Sequence, residues 1–126
     1  MTKVLIVDDS AVYRDCLQKL LSLSGLDVAT AADGSEAMTL AADFSPDVLV
    51  IDWMLGSRTD GIELAKTLRK SAPELPVIMI SGFPSTPIDL DLNSLAHTQF
   101  LAKPFATAKL LSAIRSAANG EASPEN

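Results

Sequence analysis

Short apolar runs alternate with amphipathic stretches five times along the chain. The runs are Val4-Leu5-Ile6-Val7, Val28-Ala29-Thr30-Ala31, Val48-Leu49-Val50-Ile51, Val77-Ile78-Met79-Ile80 and Phe100-Leu101-Ala102. The first, third and fourth are apolar throughout, the pattern of strands covered by helices on both faces of a parallel sheet. The second is small and half polar, which predicts an edge strand. Between the runs lie helix signals. Ser10 can cap a first helix whose Tyr13, Leu17, Leu20 and Leu21 share a face, with Gly25 as its stop. Asp33-Gly34-Ser35-Glu36 places an acceptor three residues before a glutamate, close to a capping box. Asp60 precedes Gly61 and the repeat Ile62, Ala65, Leu68, which must end before Pro73; Leu110, Leu111 and Ile114 mark the last helix. The segment Ile88-Asp89-Leu90-Asp91-Leu92 fits a strand by alternation and a helix by Ile88, Leu92 and Leu95. With Pro84 and Pro87 ahead of it, a short or irregular helix is expected.

Strand–helix alternation throughout predicts an α/β doubly wound fold with a five-stranded parallel sheet in the order 2-1-3-4-5. Its ligand crevice would lie at the carboxyl ends of strands 1 and 3. At 126 residues the chain is one domain's worth, taken as residues 1–118. The polar tail 119–126, with Gly120 and Pro124, is expected to be disordered.

Composition narrows the class. Hydrophobic residues make up 48% and charged residues 21%, as in soluble globular proteins. The longest apolar runs are strand-sized, against the roughly 20 residues a membrane helix needs. The apolar run after Met1-Thr2-Lys3 is also too short for a secretory signal, so none is expected. A single cysteine, Cys16, cannot form an internal disulfide, which suits a reducing, cytoplasmic compartment; its helix pattern predicts a small buried hydrophobe. Net charge is −6 and the ten basic residues are scattered, which argues against nucleic-acid binding by this chain.

The polar residues that follow each strand carry the chemistry. Asp8-Asp9 follow strand 1, Asp52 strand 3, Ser81-Gly82 strand 4 and Lys103-Pro104 strand 5. A parallel sheet delivers all of them to one edge, the edge where such folds bind ligands. Carboxylates gathered in a cleft repel one another, so positive charge must be present. Lys103 supplies one charge and a hard divalent cation would supply two more. Oxygen-only ligands favour Mg²⁺, and with no His or Cys nearby a zinc site is excluded. His97 has no acidic partner in sequence and reads as a solvated loop residue.

The set Asp8-Asp9, Asp52, Ser81 and Lys103-Pro104-Phe105, in this order and spacing, resembles the receiver domains of two-component response regulators, the CheY-like family. The resemblance runs from about Lys3 to Ala118. It implies that Asp52 is the phosphoacceptor, its carboxylate attacking phosphorus to give an acyl phosphate. It implies Mg²⁺ ligation by Asp9, Asp52 and the backbone carbonyl of Met54, with Asp8 acting through metal-bound water. Lys103 would pair with one phosphoryl oxygen and Ser81 would hydrogen-bond another. The switch residues would be Ser81 and Phe100, rearranging the strand 4 to helix 5 side. The implied phosphodonor is a histidine kinase or a histidine phosphotransfer protein, with an unspecified downstream protein or effector domain. A dimer through the helix 4–strand 5–helix 5 face is also compatible with the family. Such a domain catalyses only its own phosphorylation and dephosphorylation and is not otherwise an enzyme.

The chain departs from the family after Asp52. Gly56 stands where receivers usually have proline, and the stretch before Gly61 is one residue longer than most, which predicts a more mobile loop. Three other readings compete. A haloacid-dehalogenase-type phosphatase needs an aspartate two residues after its nucleophile, where Met54 stands. A Rossmann-type nucleotide module needs a glycine-rich turn after strand 1, where Val7-Asp8-Asp9-Ser10 is acidic and glycine-free. A receiver-like interaction domain that takes no phosphate would be expected to lack some of the chemical residues, and all are present.

Overall fold

The strands and helices follow one another as β1 (Lys3–Val7), α1 (Ala11–Leu23), β2 (Asp27–Ala31), α2 (Gly34–Phe44), β3 (Val48–Asp52), β4 (Met54–Leu55), β5 (Thr59–Asp60), α3 (Gly61–Arg69), β6 (Val77–Ser81), β7 (Thr98–Ala102) and α4 (Thr107–Ala118). This computed structural model describes residues 2–52, 54–55, 59–81, 98–102 and 107–118. The expected helix around Ile88–Leu92 and the tail 119–126 lie outside the described residues.

Five strands form one sheet in the order β2-β1-β3-β6-β7, every neighbouring pair parallel. This is the predicted doubly wound order, with β2 at an edge as its half-polar sequence requires. Side chains alternate across β1. Leu5 and Val7 join a cluster with Ala37, Leu49, Ile51, Leu64, Ala65 and Leu68, beneath α2 and α3. Val4 and Ile6 join a second cluster with Leu17, Leu21, Val50, Ile78, Leu110 and Ile114, beneath α1 and α4. Burying each large side chain is worth about 1.5–3 kcal/mol, so two filled faces fix which way every strand points. The residues at the strand ends are thereby held on one edge. Among the described residues no helix is long and apolar enough to cross a membrane.

The ends of α1 show how local sequence sets the frame. Ser10 accepts from the Tyr13 N–H through its hydroxyl, 3.3 Å away, and so caps the helix. At the other end Gly25, at φ +90°, lets Leu26 donate to the Leu21 carbonyl (3.2 Å) and Gly25 to that of Ser22 (3.0 Å). That paired closure is a Schellman turn, and Leu26 and Leu21 pack in the same cluster beneath it. At α2, Asp33 accepts from the Glu36 N–H at 2.9 Å. The returning Glu36 carboxylate takes the Ala32 N–H at 2.6 Å, one residue earlier than in a capping box.

Two expectations for α1 are corrected. Cys16 is exposed rather than buried, and Leu20 is 37% exposed while Leu17 and Leu21 are buried. At about 100° per residue, Leu17 and Leu21 point to the sheet, and Cys16 and Leu20 fall to one side of that direction. Helical spacing alone does not say which of two adjacent apolar stripes meets the sheet.

Candidate functional site

β1 and β3 are neighbours in register, with Val7 opposite Ile51, so Asp8 and Asp52 leave the sheet side by side. Asp52 also lies opposite Ile80 of β6, and Ser81 is the next residue of that strand. One carboxylate oxygen from each of Asp8, Asp9 and Asp52 lies within 4.8 Å of the others. Asp8 is 2% exposed and Asp52 9%, while Asp9 is open to solvent. Two unit negative charges 4.8 Å apart repel by roughly 3.5 kcal/mol at an effective dielectric of 20 and by about 0.9 kcal/mol in bulk water. The buried pair feels the larger figure.

The turn that carries the acidic pair is held at several points. The Asp8 N–H donates to the Ala31 carbonyl at 3.1 Å, prolonging the β1–β2 ladder by one bond. Asp8 Oδ1 accepts from the Ser10 N–H at 2.9 Å, and the Asp8 carbonyl accepts from Arg14 Nη1 at 2.6 Å. Half-buried Tyr13 lies on the same side of α1. Its burial, then the fields of Asp8 and Asp52 and a smaller one from Cys16, push its phenol up to about 12. The phenol therefore stays protonated at neutral pH. In the sequence Tyr13 reads only as part of the apolar face of the first helix, and Arg14 is not singled out. The available signal was their spacing: four and five residues after Asp9, they fall on the first turn of the helix that Ser10 caps.

The other expected site residues are placed less fully. In the backbone register Phe100 of β7 lies opposite Met79, and Ser81 opposite Ala102, the residue before Lys103. Lys103 itself is outside the described residues, as are Trp53 and Phe83. Beyond Asp52 the chain forms an antiparallel ribbon, β4 with β5, pairing Met54 with Asp60 and Leu55 with Thr59. The residues between the two arms, 56–58, which include the Gly56 that stands for proline, lie outside the described residues.

Oxygen donors alone line the described site, which suits a hard cation rather than zinc. An octahedral ion with bonds of about 2.1 Å spans roughly 4.2 Å between opposite ligands, so a set this close can contact it directly or through one water.

A family profile described as the response regulator receiver domain matches residues 4–115. The chain belongs to this family. Response regulator MprA of Mycobacterium sp. (strain KMS) is 34% identical over 113 residues, which cover 90% of this chain and 49% of that regulator. The chain spans about half the length of the curated relatives it matches. Among solved structures, the receiver domain of Francisella response regulator 1452 superposes with a TM-score of 0.83 at 32% identity, covering 95% of this chain and 98% of that one. Vibrio cholerae chemotaxis protein CheY4 gives 0.85 at 31%, covering 93% and 98%. The fold is accordingly the flavodoxin-like, CheY-like one. The receiver is a phosphoacceptor domain of two-component signal transduction and not an enzyme of the ordinary kind. Receivers bind Mg²⁺ through acidic residues, and Asp8, Asp9 and Asp52 form an acidic cluster among the described residues.

Proposed function

We propose that Asp52 is the residue that accepts the phosphoryl group, with Mg²⁺ held by Asp9, Asp52 and the Met54 carbonyl and by Asp8 through water. The observation that carries this is the convergence of the three carboxylates within 4.8 Å at the carboxyl edge of β1 and β3. Asp52 is the member that ends a strand buried along its length, while Asp8 and Asp9 lie in the turn beyond β1. One oxygen attacks phosphorus in line with the leaving group, forming the acyl phosphate as the donor's bond to phosphorus breaks. Bound Mg²⁺ supplies neutralising charge for the phosphoryl oxygens. Lys103 and Ser81 take the remaining oxygens, Lys103 by charge and Ser81 by its hydroxyl. The output is a population shift in which Ser81 and Phe100 move together, altering the surface of the β6 to α4 side.

A histidine-bearing phosphodonor protein is the partner the first helix favours. Val12, Cys16, Leu20 and Leu23 are exposed, Val12 and Leu23 at 80% and 86%. At about 100° per residue they share an arc of roughly 80°. The stripe starts beside Asp9 and runs down the helix, so a partner packed on it would present its phosphohistidine to the acidic cluster. We place the receiver at 1–118 and its action in the cytoplasm, where a lone thiol stays reduced. Acetyl phosphate with Mg²⁺ tests the assignment by intact mass. The wild type should gain one phosphoryl group and Asp52→Asn none; equal modification of both would overturn it.

A further inference from the structure

Asp9 is the exposed member of the acidic cluster and sits in a turn, yet it has to hold a fixed position if it is to bind a cation. The structure shows what brackets it. The Arg14 backbone N–H donates to the Ser10 carbonyl at 3.0 Å, the first hydrogen bond of α1. The Arg14 guanidinium donates to the Asp8 carbonyl at 2.6 Å. One residue thus closes on the carbonyls immediately before and after Asp9. The guanidinium contact is charge-assisted and short, and the Asp8 it serves is almost wholly buried. Removing Arg14 takes a charge-assisted donor away from this buried carbonyl, which loosens the turn.

We propose that Arg14 is a positioning residue for the cation site: by clamping the Asp8 carbonyl it sets the orientation of Asp8 and Asp9 and hence the affinity for Mg²⁺. The proposal rests on the metal reading above. Two roles for Arg14 predict opposite signs. As a mere positive charge near the site it would repel a cation, and its removal would tighten Mg²⁺ binding. As a clamp its removal loosens the ligands and weakens binding. Groups that orient metal ligands typically contribute 10- to 100-fold in affinity. Lysine keeps the charge and one donor but not the planar fork, so it should restore part of the effect.

The test is calorimetric titration of the full chain with MgCl₂, for wild type, Arg14→Gln and Arg14→Lys, with thermal melts in chelator alongside. Arg14→Gln should raise the dissociation constant roughly tenfold, and Arg14→Lys should fall between it and the wild type. Amide exchange at Asp9 and Ser10 should quicken in Arg14→Gln without metal. An Arg14→Gln protein that binds Mg²⁺ as tightly as wild type, or more tightly, overturns the clamp, even if it melts lower. A wild type that binds no Mg²⁺ overturns the metal reading itself and the clamp with it.

Discussion

Replacing Asp9 by Asn removes one charge from the cluster while keeping the shape of the side chain. Two of the three close repulsions disappear, those with Asp8 and Asp52. At 4.8 Å each is worth about 0.9 kcal/mol at the dielectric of water, the appropriate limit for an exposed group. A Debye length of about 8 Å at physiological salt roughly halves that. The expected gain is therefore about 1 kcal/mol, or near 4 °C in melting temperature for a domain of this size. It should approach twice that at low salt and fall to about 0.4 kcal/mol near 1 M. Saturating Mg²⁺ should reverse the order. Ligand at a hundred times its dissociation constant stabilises the wild type by about 2.7 kcal/mol, and the variant, short of a ligand, gains far less. The assay is a thermal melt of both proteins in chelator and in Mg²⁺, at two salt concentrations. An Asp9→Asn protein that melts below wild type in chelator, or that gains as much from Mg²⁺, would refute the electrostatic reasoning.

Three further outcomes are expected. Mg²⁺ should change the emission of Trp53, the only tryptophan and the neighbour of Asp52, and the change should be lost in Asp9→Ala; a flat titration of folded wild type counts against a metal here. Tyr13 is the only tyrosine, so its ultraviolet titration is unobscured by others. Half-ionisation should come near pH 12 rather than 10; the neutral phenol is the form the fold favours, so its contribution to stability is complete below pH 10 and lost as pH rises toward 12. A midpoint near 10 in the folded protein would contradict that burial. In receivers the residues two places after the phosphoacceptor and two after the strand-end Ser/Thr flank the water's approach to the acyl phosphate; in this sequence they are Met54 and Phe83, both apolar, so phosphoprotein should decay slowly. Met54→Asn with Phe83→Glu should decay faster; a wild type that decays as fast as the double variant excludes this explanation.

The strands were legible because a central parallel strand must be apolar on both faces, and Val4–Val7 and Val48–Ile51 read that way without exception. The acidic cluster was legible for a topological reason: parallel strands deliver their following residues to one edge, so sequence order becomes spatial proximity. Other features were less so. Cys16 and Leu20 were misjudged because α1 carries two apolar stripes, and periodicity does not rank them. The β4–β5 ribbon was missed because pairing as short as Met54 with Asp60 and Leu55 with Thr59 leaves no alternation to detect. Arg14 was missed because its role is a bond to a backbone carbonyl, which any residue supplies and no side-chain motif records.

The identity of the phosphorylated residue is the central claim, and chemical trapping tests it most directly. The phosphorylated chain is treated with borohydride, which reduces an acyl phosphate to the alcohol with release of phosphate and converts the modified aspartate to homoserine. Peptide fragmentation then locates the homoserine. It should stand at position 52, absent without Mg²⁺ and absent in Asp52→Asn. Homoserine at Asp8 or Asp9 in the wild type, with Asp52 unchanged, would contradict the assignment.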